Sequence, residues 1–581
     1  MLEKSTETRT NISKNKYFIP TILMIIYILI AMIVAVVVKF SMATEDTTVS
    51  IATNKGEEAF LNGKYDAAIS EYTSLQEKEE WPEWILKISE IYSIQGDYKK
   101  SNELIQKAYD TRNKLIDTKS VNYEEVEEKD KDLANDIVYN SFMNGEYKKA
   151  LEYGEFFIEL YPQDDKLLET MFAVYIANND NKKAEEILNF FADNDTDPDK
   201  LVIAAKMNML LGKHQDGLMQ LLNAYELDEN NVSILDAIED ASRYNKANII
   251  NSINKLQETD KENNIYNLFL AKVYAMDSAD ISKCEELINK LEEDFSDNTN
   301  YLFIKTKIYV EQEDNKKIEK TLEKISDLNE DTFVEAYADA LNFYYEGKYD
   351  DALKSAKKSI NLNRDYSKTY SSLIPSILLA QKKAAEEEPY LRTALYKETF
   401  NFGNMITTAE YYKDVLQDSS KGLYYYTLAS EIKPDNSEVY YKMALIQYNN
   451  QRADEAVDLL KKSISLNNKE PKYYRTLGCI YLEQNKSEDG MSQIRKAYDL
   501  DNNDIATLND AAYYYIYVDH NVSRAMTNIK AAYEGITETT SSSEKQIITD
   551  NYNRIKVLYD SSKDSSSSNK NGVVSEVKLI Y

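Results

Sequence analysis

Few side chains in this 581-residue sequence are of the types that carry covalent or metal chemistry. Its two histidines are His214 and His520, and its two cysteines are Cys284 and Cys479. Neither a disulfide framework nor a Cys-rich zinc site can be built from two distant cysteines. His214 stands in Gly212-Lys213-His214, where similar turns of the chain carry Tyr, and reads as a packing replacement. His520 falls between helical stretches with no fixed partner in the sequence. A metal site would have to come from scattered carboxylates, and no calcium-loop spacing occurs. A Walker loop, a Gly-rich dinucleotide turn, a Gly-x-Ser-x-Gly elbow and a His-Glu-x-x-His pair are all missing from the sequence. The helical, acidic stretch 232–300 offers no nucleophile beside a base. The expectation is a chain that is not an enzyme, with no catalytic residue, cofactor or metal. Asn-x-Ser/Thr sequons at Asn194, Asn231, Asn485 and Asn521 are what chance gives in a chain so rich in Asn, Ser and Thr.

Composition points the same way. A hydrophobic fraction of 43% can bury a large core. The 69 basic and 99 acidic side chains leave a formal charge of −30. Such a surface repels phosphate backbones and anionic lipid, so no nucleic acid partner is expected. With only 14 Gly and 8 Pro, a loop-rich β fold is disfavoured.

Phe18 to Val38 is a run without a formal charge, FIPTILMIIYILIAMIVAVVV. At about 1.5 Å per residue it spans roughly 32 Å, the depth of a bilayer core. Lys4, Arg9, Lys14 and Lys16 precede it, whereas Lys39 and Lys55 follow with Glu45 and Asp46 between them. Positive-inside bias places the N-terminus in the cytoplasm and the remaining chain outside. Ser41-Met42-Ala43 leaves a cleaved signal peptide as the alternative, although the apolar run exceeds the usual length. The organisation predicted is a cytoplasmic tail 1–17, a single-pass membrane helix 18–39 and a spacer 40–51.

Beyond the spacer the chain repeats itself. Tyr440, Met443, Ala444, Gln447, Ala456, Leu460 and Ser463 form one set. Thirty-four residues on stand Tyr474, Leu477, Gly478, Tyr481, Gly490, Ile494 and Ala497. The next shift gives Leu508, Ala511, Ala512 and Tyr515, then Ala525, Ile529 and Ala532 after a one-residue slip. The preceding unit carries Ile406, Ala409, Glu410, Lys413, Gly422, Tyr426 and Ala429, closed by Pro434. Spacings of three and four mark one helix face. Small residues in the second block let paired helices approach closely. A two-helix unit cannot bury both its faces, so the units must stack.

This pattern resembles the tetratricopeptide repeat (TPR) family, whose period is the same. Gly63-Lys64-Tyr65-Asp66-Ala67-Ala68-Ile69, Gly96-Asp97-Tyr98, Gly145-Glu146-Tyr147 and Gly347-Lys348-Tyr349 are turns of the same kind, and Tyr161-Pro162 ends its unit where the family places proline. The resemblance implies an all-α fold, a TPR-type helical-hairpin solenoid with a right-handed superhelix, running on as a rod. The units divide into 52–231, a middle, partly degenerate set 232–402, and regular C-terminal units 403–537. The stretch 232–265 lacks the Gly-x-Tyr turn, and 367–402 runs long and carries Pro375 and Pro389. A capping helix is predicted over 541–560, followed by a flexible Ser-rich tail 561–581. Val573, Ser575, Val577, Leu579 and Tyr581 alternate with Glu576 and Lys578 like a strand. A frayed end is the favoured reading, addition to a partner's sheet the alternative.

In the TPR family the inner wall is lined by first-helix residues turned away from the paired helix. Carried over, the wall comprises Asn404, Thr407, Tyr411 and Asp414, then Glu438, Tyr441, Leu445 and Tyr448. The following units add Lys472, Arg475, Cys479 and Leu482, then Asn509, Tyr513 and Ile516. The partner groove is assigned to Asn404, Thr407, Tyr411, Tyr441, Tyr448, Lys472, Arg475, Asn509 and Tyr513. Tyr and Arg anchors are worth about 2 kcal/mol each when a partner buries them. The family's basic, Asn-lined clamp for chaperone tails does not recur in consecutive units here. The function expected is a membrane-anchored scaffold or adaptor that binds a protein or peptide, in a bacterial cell envelope. The alternative is a membrane receptor whose array faces the cytosol and recruits clients.

Overall fold

The computed structural model describes residues 49–193, 196–563 and 577–581. The apolar run 18–38, the tail 1–17, nearly all of the spacer, Asn194 and residues 564–576 lie outside the described residues, and with them the anchor and its orientation. No helix among the described residues is long and apolar enough to cross a membrane.

Helical hairpins follow one another from Lys55 onward. Lys55–Leu61 pairs with Tyr65–Gln76, Glu83–Ile94 with Tyr98–Asp117, and Tyr123–Met143 with Tyr147–Leu160. Asp165–Ala177 then pairs with Asn181–Ala192, and Pro198–Leu210 with His214–Leu227. Past Ser233–Thr259 come Ile265–Tyr274 with Ile281–Phe295, Thr299–Glu311 with Asn315–Leu328, and Phe333–Tyr345 with Tyr349–Leu362. A shorter unit joins Ile374–Ala380 to Glu388–Lys397. The regular units pair Phe402–Glu410 with Ser419–Ile432, and Ser437–Asn449 with Ala453–Leu466. Pro471–Glu483 pairs with Ser487–Leu500, and Ile505–Tyr517 with Val522–Glu534. The long helix Ser542–Lys563 packs on the last of these. The architecture is an all-α helical-repeat solenoid.

Local chemistry sets the boundaries. Asp97, Asp164, Asp180, Asp314 and Asp418 accept backbone N–H bonds at the starts of their helices, which satisfies donors that a helix leaves unpaired. Between most of the paired helices one residue turns left-handed. Gly63, Gly96, Gly145, Gly212 and Gly347 do so without strain, while Asn179, Glu313, Gln451, Asn485 and His520 take the same conformation in other units. Gly478 and Gly490 serve contact instead. A Cβ on Gly478 would lie 2.8 Å from the Gly490 carbonyl oxygen, and one on Gly490 would lie 2.9 Å from that of Gly478.

The two stretches that break the sequence pattern break it for backbone reasons. Ser233–Thr259 is two helices meeting at Asn245, whose φ of −152° and ψ of 35° are not helical. One residue makes the bend, so no Gly-x-Tyr turn is needed. His214, in the preceding unit, sits against that bend, with Nε2 and the Asn245 amide 2.8 Å apart. Burial holds its imidazole pKa below the ordinary value. In the long unit the extra length is absorbed by a π-helical turn, Thr369–Leu373, just before Pro375. Pro389 falls in a first helical turn, where its missing N–H costs nothing.

The array does not run on as a rod. Its later units coil back onto the first helices of the earlier ones. Arg364 donates to the Ile51 carbonyl at 3.0 Å. Arg392, 2% exposed, lies between Glu90, Ser93 and Asn140, with its guanidinium over the Tyr139 ring. Thr399 meets Thr170, Glu398 pairs with Lys206 at 2.5 Å, and Phe402 packs edge-on against Tyr244. Tyr424 stacks on Tyr98 and donates to the Met143 carbonyl, and Lys433 donates to that of Leu210. One apolar core therefore unites residues 81–210 with residues 391–446. Large aromatic and aliphatic side chains on the inner wall, left unshielded by a straight rod, explain the closure.

A candidate peptide groove in the C-terminal units

The sequence-assigned wall residues separate into three groups. Asn404 and Tyr411 are buried where the coil closes, and Tyr411 donates to the Ala384 carbonyl at 3.0 Å. Thr407 lines two open cavities of about 840 and 680 Å³, and Asn404 the smaller. Several of their charged lining residues are paired: Lys368 meets Asp236 and Glu239, Lys272 meets Glu239, and Lys442 meets Glu410. Tyr441 is buried beside Tyr473, and Lys472 lies over both rings while pairing with Glu438 at 2.9 Å. Only Tyr448, Arg475, Asn509 and Tyr513 converge on one place, the wall formed by Pro471–Glu483, Ile505–Tyr517 and the cap Ser542–Lys563.

That place is filled by residues 577–581, which corrects the expectation of a frayed, flexible tail through to residue 581. The segment is extended and held mainly by its backbone. The Val577 N–H donates to the Tyr517 hydroxyl at 2.8 Å. Asn551 grips Lys578 at two points: its Oδ1 accepts the Lys578 N–H at 3.0 Å and its Nδ2 donates to the Lys578 carbonyl at 2.7 Å. Asn509 donates to the same carbonyl at 3.0 Å and accepts from Asn551 at 2.8 Å. The Ile580 N–H donates to Asp510 Oδ1 at 2.9 Å, while its carbonyl faces the Cys479 thiol at 3.7 Å.

Side chains complete the fit. Val577 and Ile580 join the core of Ala506, Ile516, Ile548 and Ile555. Leu579 joins that of Cys479, Leu482, Met491 and Ala511. The Tyr581 ring lies 5.0 Å from that of Tyr448, and its hydroxyl meets Glu483. Tyr513 packs against the same cluster as Leu579. Lys578 points to solvent. The strand-like alternation thus holds from 577 to 579 and fails at Ile580, which is buried because the groove walls the segment on more than one side. No strand forms; the partners are side chains of helices.

Energetically the holding is balanced. Burying the three aliphatic side chains gives about 1.5–3 kcal/mol each, and each backbone bond gives about 1 kcal/mol net. Ordering five residues costs about 1–2 kcal/mol of backbone freedom apiece, plus side-chain entropy. The two sides cancel to within a few kcal/mol, in the range of a reversible contact.

Asp510 governs the electrostatics. It is fully buried, and burial pushes its carboxyl up to about 7, against the opposing charge of Arg475 and the Ile580 N–H. Arg475 Nε lies 3.9 Å from Asp510 and its Nη1 3.3 Å from Asp504. The Cys479 thiol, 3.1 Å from Asp510, is pushed up by burial and that carboxylate, so it is not an activated nucleophile. No group of three His, Cys, Asp or Glu side chains among the described residues is placed to hold a metal.

Sequence reasoning missed Asp510, Asn551, Tyr517 and Glu483. A signal existed for two of them. Asn509-Asp510 is a polar pair inside the apolar run Leu508 to Ala512, and Asn551 shares a helix face with Ile548 and Ile555. Buried polar groups at core positions need a partner, and here the partner is a backbone.

No family model matches the chain, and no curated protein matches it. Similar solved structures include yeast Tom70, 17% identical, covering 75% of this chain and 98% of that one at a TM-score of 0.37. Another is the APC/C hetero-tetramer Cut9–Hcn1, 12% identical, with 82% and 98% covered and a TM-score of 0.31. A third is YrrB, described as a TPR protein with an unusual peptide-binding site, 14% identical, with 32% and 93% covered and a TM-score of 0.26. At such scores the likeness has no bearing on what this chain binds.

Proposed function

We propose that this chain is a non-catalytic scaffold that captures an extended stretch of a partner protein in its C-terminal units. The observation that carries the reading is the groove itself: Tyr517, Asn551, Asn509 and Asp510 grip the main chain of an extended segment. Such contacts read the main chain, while the apolar pockets choose the side chains at the positions of Val577, Leu579 and Ile580. The charge of −30 favours partners with basic flanks.

The reading includes attachment to a membrane through residues 18–39, with the array on the outer face of a bacterial cytoplasmic membrane. It is supported by the uncharged run and by the basic residues before it. Crosslinking in native membranes, followed by identification of what stays attached, tests the scaffold role; a chain recovered without any specific protein removes it. A reporter fused after Tyr581 tests orientation. Activity only on the outside is expected, and activity only on the inside replaces the envelope scaffold with a cytosol-facing receptor for clients.

A further inference from the structure

The groove holding residues 577–581 is built as a binding site rather than as ordinary core. A core segment packs side chain on side chain and takes its backbone bonds from its own helix or strand. This segment takes its backbone bonds from the side chains of two helices, at Val577, Lys578 and Ile580. Asn509, Asp510 and Asn551 are fully buried and polar, and all three spend hydrogen bonds on it. They sit on faces that would otherwise read Leu508, Ala511, Ala512 and Ile548, Ile555. A helix cap needing only to be closed would be served by apolar residues there. Between Asp564 and Gly572 the sequence has no apolar residue, so a polar stretch separates the cap helix from the segment.

We propose that this groove is a peptide-binding site with Val577–Tyr581 as its resident intramolecular ligand, and that a partner enters only by displacing it. The partner segment it admits is extended, with an aliphatic residue, a solvent-facing residue, two further aliphatic residues and an aromatic one in that order. The first aliphatic side chain enters the pocket of Ile516, Ile548 and Ile555. The second meets Cys479, Leu482 and Met491, and the aromatic ring lies on Tyr448 with its hydroxyl toward Glu483. The tether presents the resident segment at an effective concentration on the order of millimolar. A free peptide of equal intrinsic affinity is therefore excluded, and a partner needs contacts beyond these five residues. The inference rests on the peptide-capture reading above and names the site, the ligand class and the gate.

The test uses the full chain and a labelled synthetic peptide of sequence Ser-Glu-Val-Lys-Leu-Ile-Tyr. In a Val577→Asp, Ile580→Asp double variant the resident segment is expelled. That variant is expected to bind the peptide on the order of tenfold or more tightly than the native chain does. Adding Asn551→Ala to it is expected to weaken peptide binding again, and a peptide with Asp in place of the residues matching Val577 and Ile580 is expected not to bind. Equal binding by native chain and double variant, or no binding by a double variant that keeps its helical circular dichroism, overturns the proposal. If the double variant does not fold, a protease site inserted between Asn571 and Gly572 leaves every described residue intact. After cleavage the released fragment is expected to exchange for the labelled peptide. A fragment that never exchanges, or whose loss melts the cap helix, overturns it. Native dimers that the double variant cannot form would replace the intrachain ligand with exchange between copies. Peptide exchange without any membrane partner would leave this gate standing and remove the scaffold reading. A partner recovered equally by native chain and double variant would do the reverse.

Discussion

Residues 364–433 and residues 577–581 both lie against first helices of repeat units, and they are held there in different ways. The longer stretch is itself folded into hairpins. It meets the earlier wall through large buried rings, through Arg392 among Glu90, Ser93 and Asn140, and through the Lys206–Glu398 pair. The short segment has no fold of its own and is read through its main chain. A concave wall of stacked hairpins can therefore be closed permanently, by more of the same array, or provisionally, by a strip of peptide. The first gives rigidity, and the second leaves a site that another peptide of the same pattern can use.

The sharpest way to break the contrast is to remove the most buried charge of the permanent seam. Arg392→Ala leaves Glu90 and Asn140 without their partner and opens space over Tyr139. A loss of about 3–5 kcal/mol is expected from such a site, read as a lower thermal midpoint for the main cooperative transition. The double variant at Val577 and Ile580 is expected to leave that transition in place. Similar losses from both would mean that the tail is as structural as the seam.

Asn551→Leu acts on the provisional side. It removes both Lys578 contacts and the bond to Asn509, at a cost of about 1–3 kcal/mol. The effect is expected to be confined to the last hairpin and cap, read as faster amide exchange in 505–563 with unchanged exchange in 123–177. A drop in protection across both regions would show the two closures to be coupled.

Proton linkage gives the two regions the same sign but separate reporters. Asp510 is raised from an ordinary carboxylate to about 7 by burial. Glu169 in the seam is raised to about 8 by burial and by Glu398. A carboxyl raised in the folded state stabilises fully below its unfolded pKa, near 4, and that contribution is lost as pH climbs through the folded value. Folding of the last hairpin and cap around Asp510 is thus expected to lose stability from pH 5 to pH 8, with Arg475, Asp504, Cys479 and Tyr581 as the other charged or titratable groups around Asp510. Asp510→Asn should flatten that dependence, measured as amide exchange in 505–563 against pH, while leaving the seam's own pH dependence untouched. An unaltered profile in the variant would assign the titration elsewhere.

The repeat was legible in the sequence because each unit must bury a helix face, and that demand writes itself as spacing. The groove was legible only in part. Tyr448, Arg475, Asn509 and Tyr513 were found by register, since successive units place equivalent residues on one wall. Asn404 and Tyr411 share that register yet are buried, because no spacing within a unit records which later unit will lie on it. Asn551 belongs to the cap and has no equivalent in any repeat. The docking of 577–581 was obscured by the reverse effect: five residues are too few for periodicity, and an alternating strip reads as a strand wherever it lies.

The smallest effect concerns the turns, where the early and late units also differ. Five early or middle turns use Gly in the left-handed conformation, whereas Gln451, Asn485 and His520 occupy it in the regular late units. A side chain there costs about 1–2 kcal/mol of steric strain, while Gly adds about 0.4–1 kcal/mol of unfolded-state freedom. Gln451 is exposed, with φ at 63°. Gln451→Gly is therefore expected to stabilise its unit by about 0.5 kcal/mol, and Gly347→Ala to destabilise its own by about 1 kcal/mol. Chemical denaturation followed separately in the two halves checks both signs. A destabilising Gln451→Gly would mean that the late turns are held by contacts of the side chain, and that the strain argument applies only to the early ones.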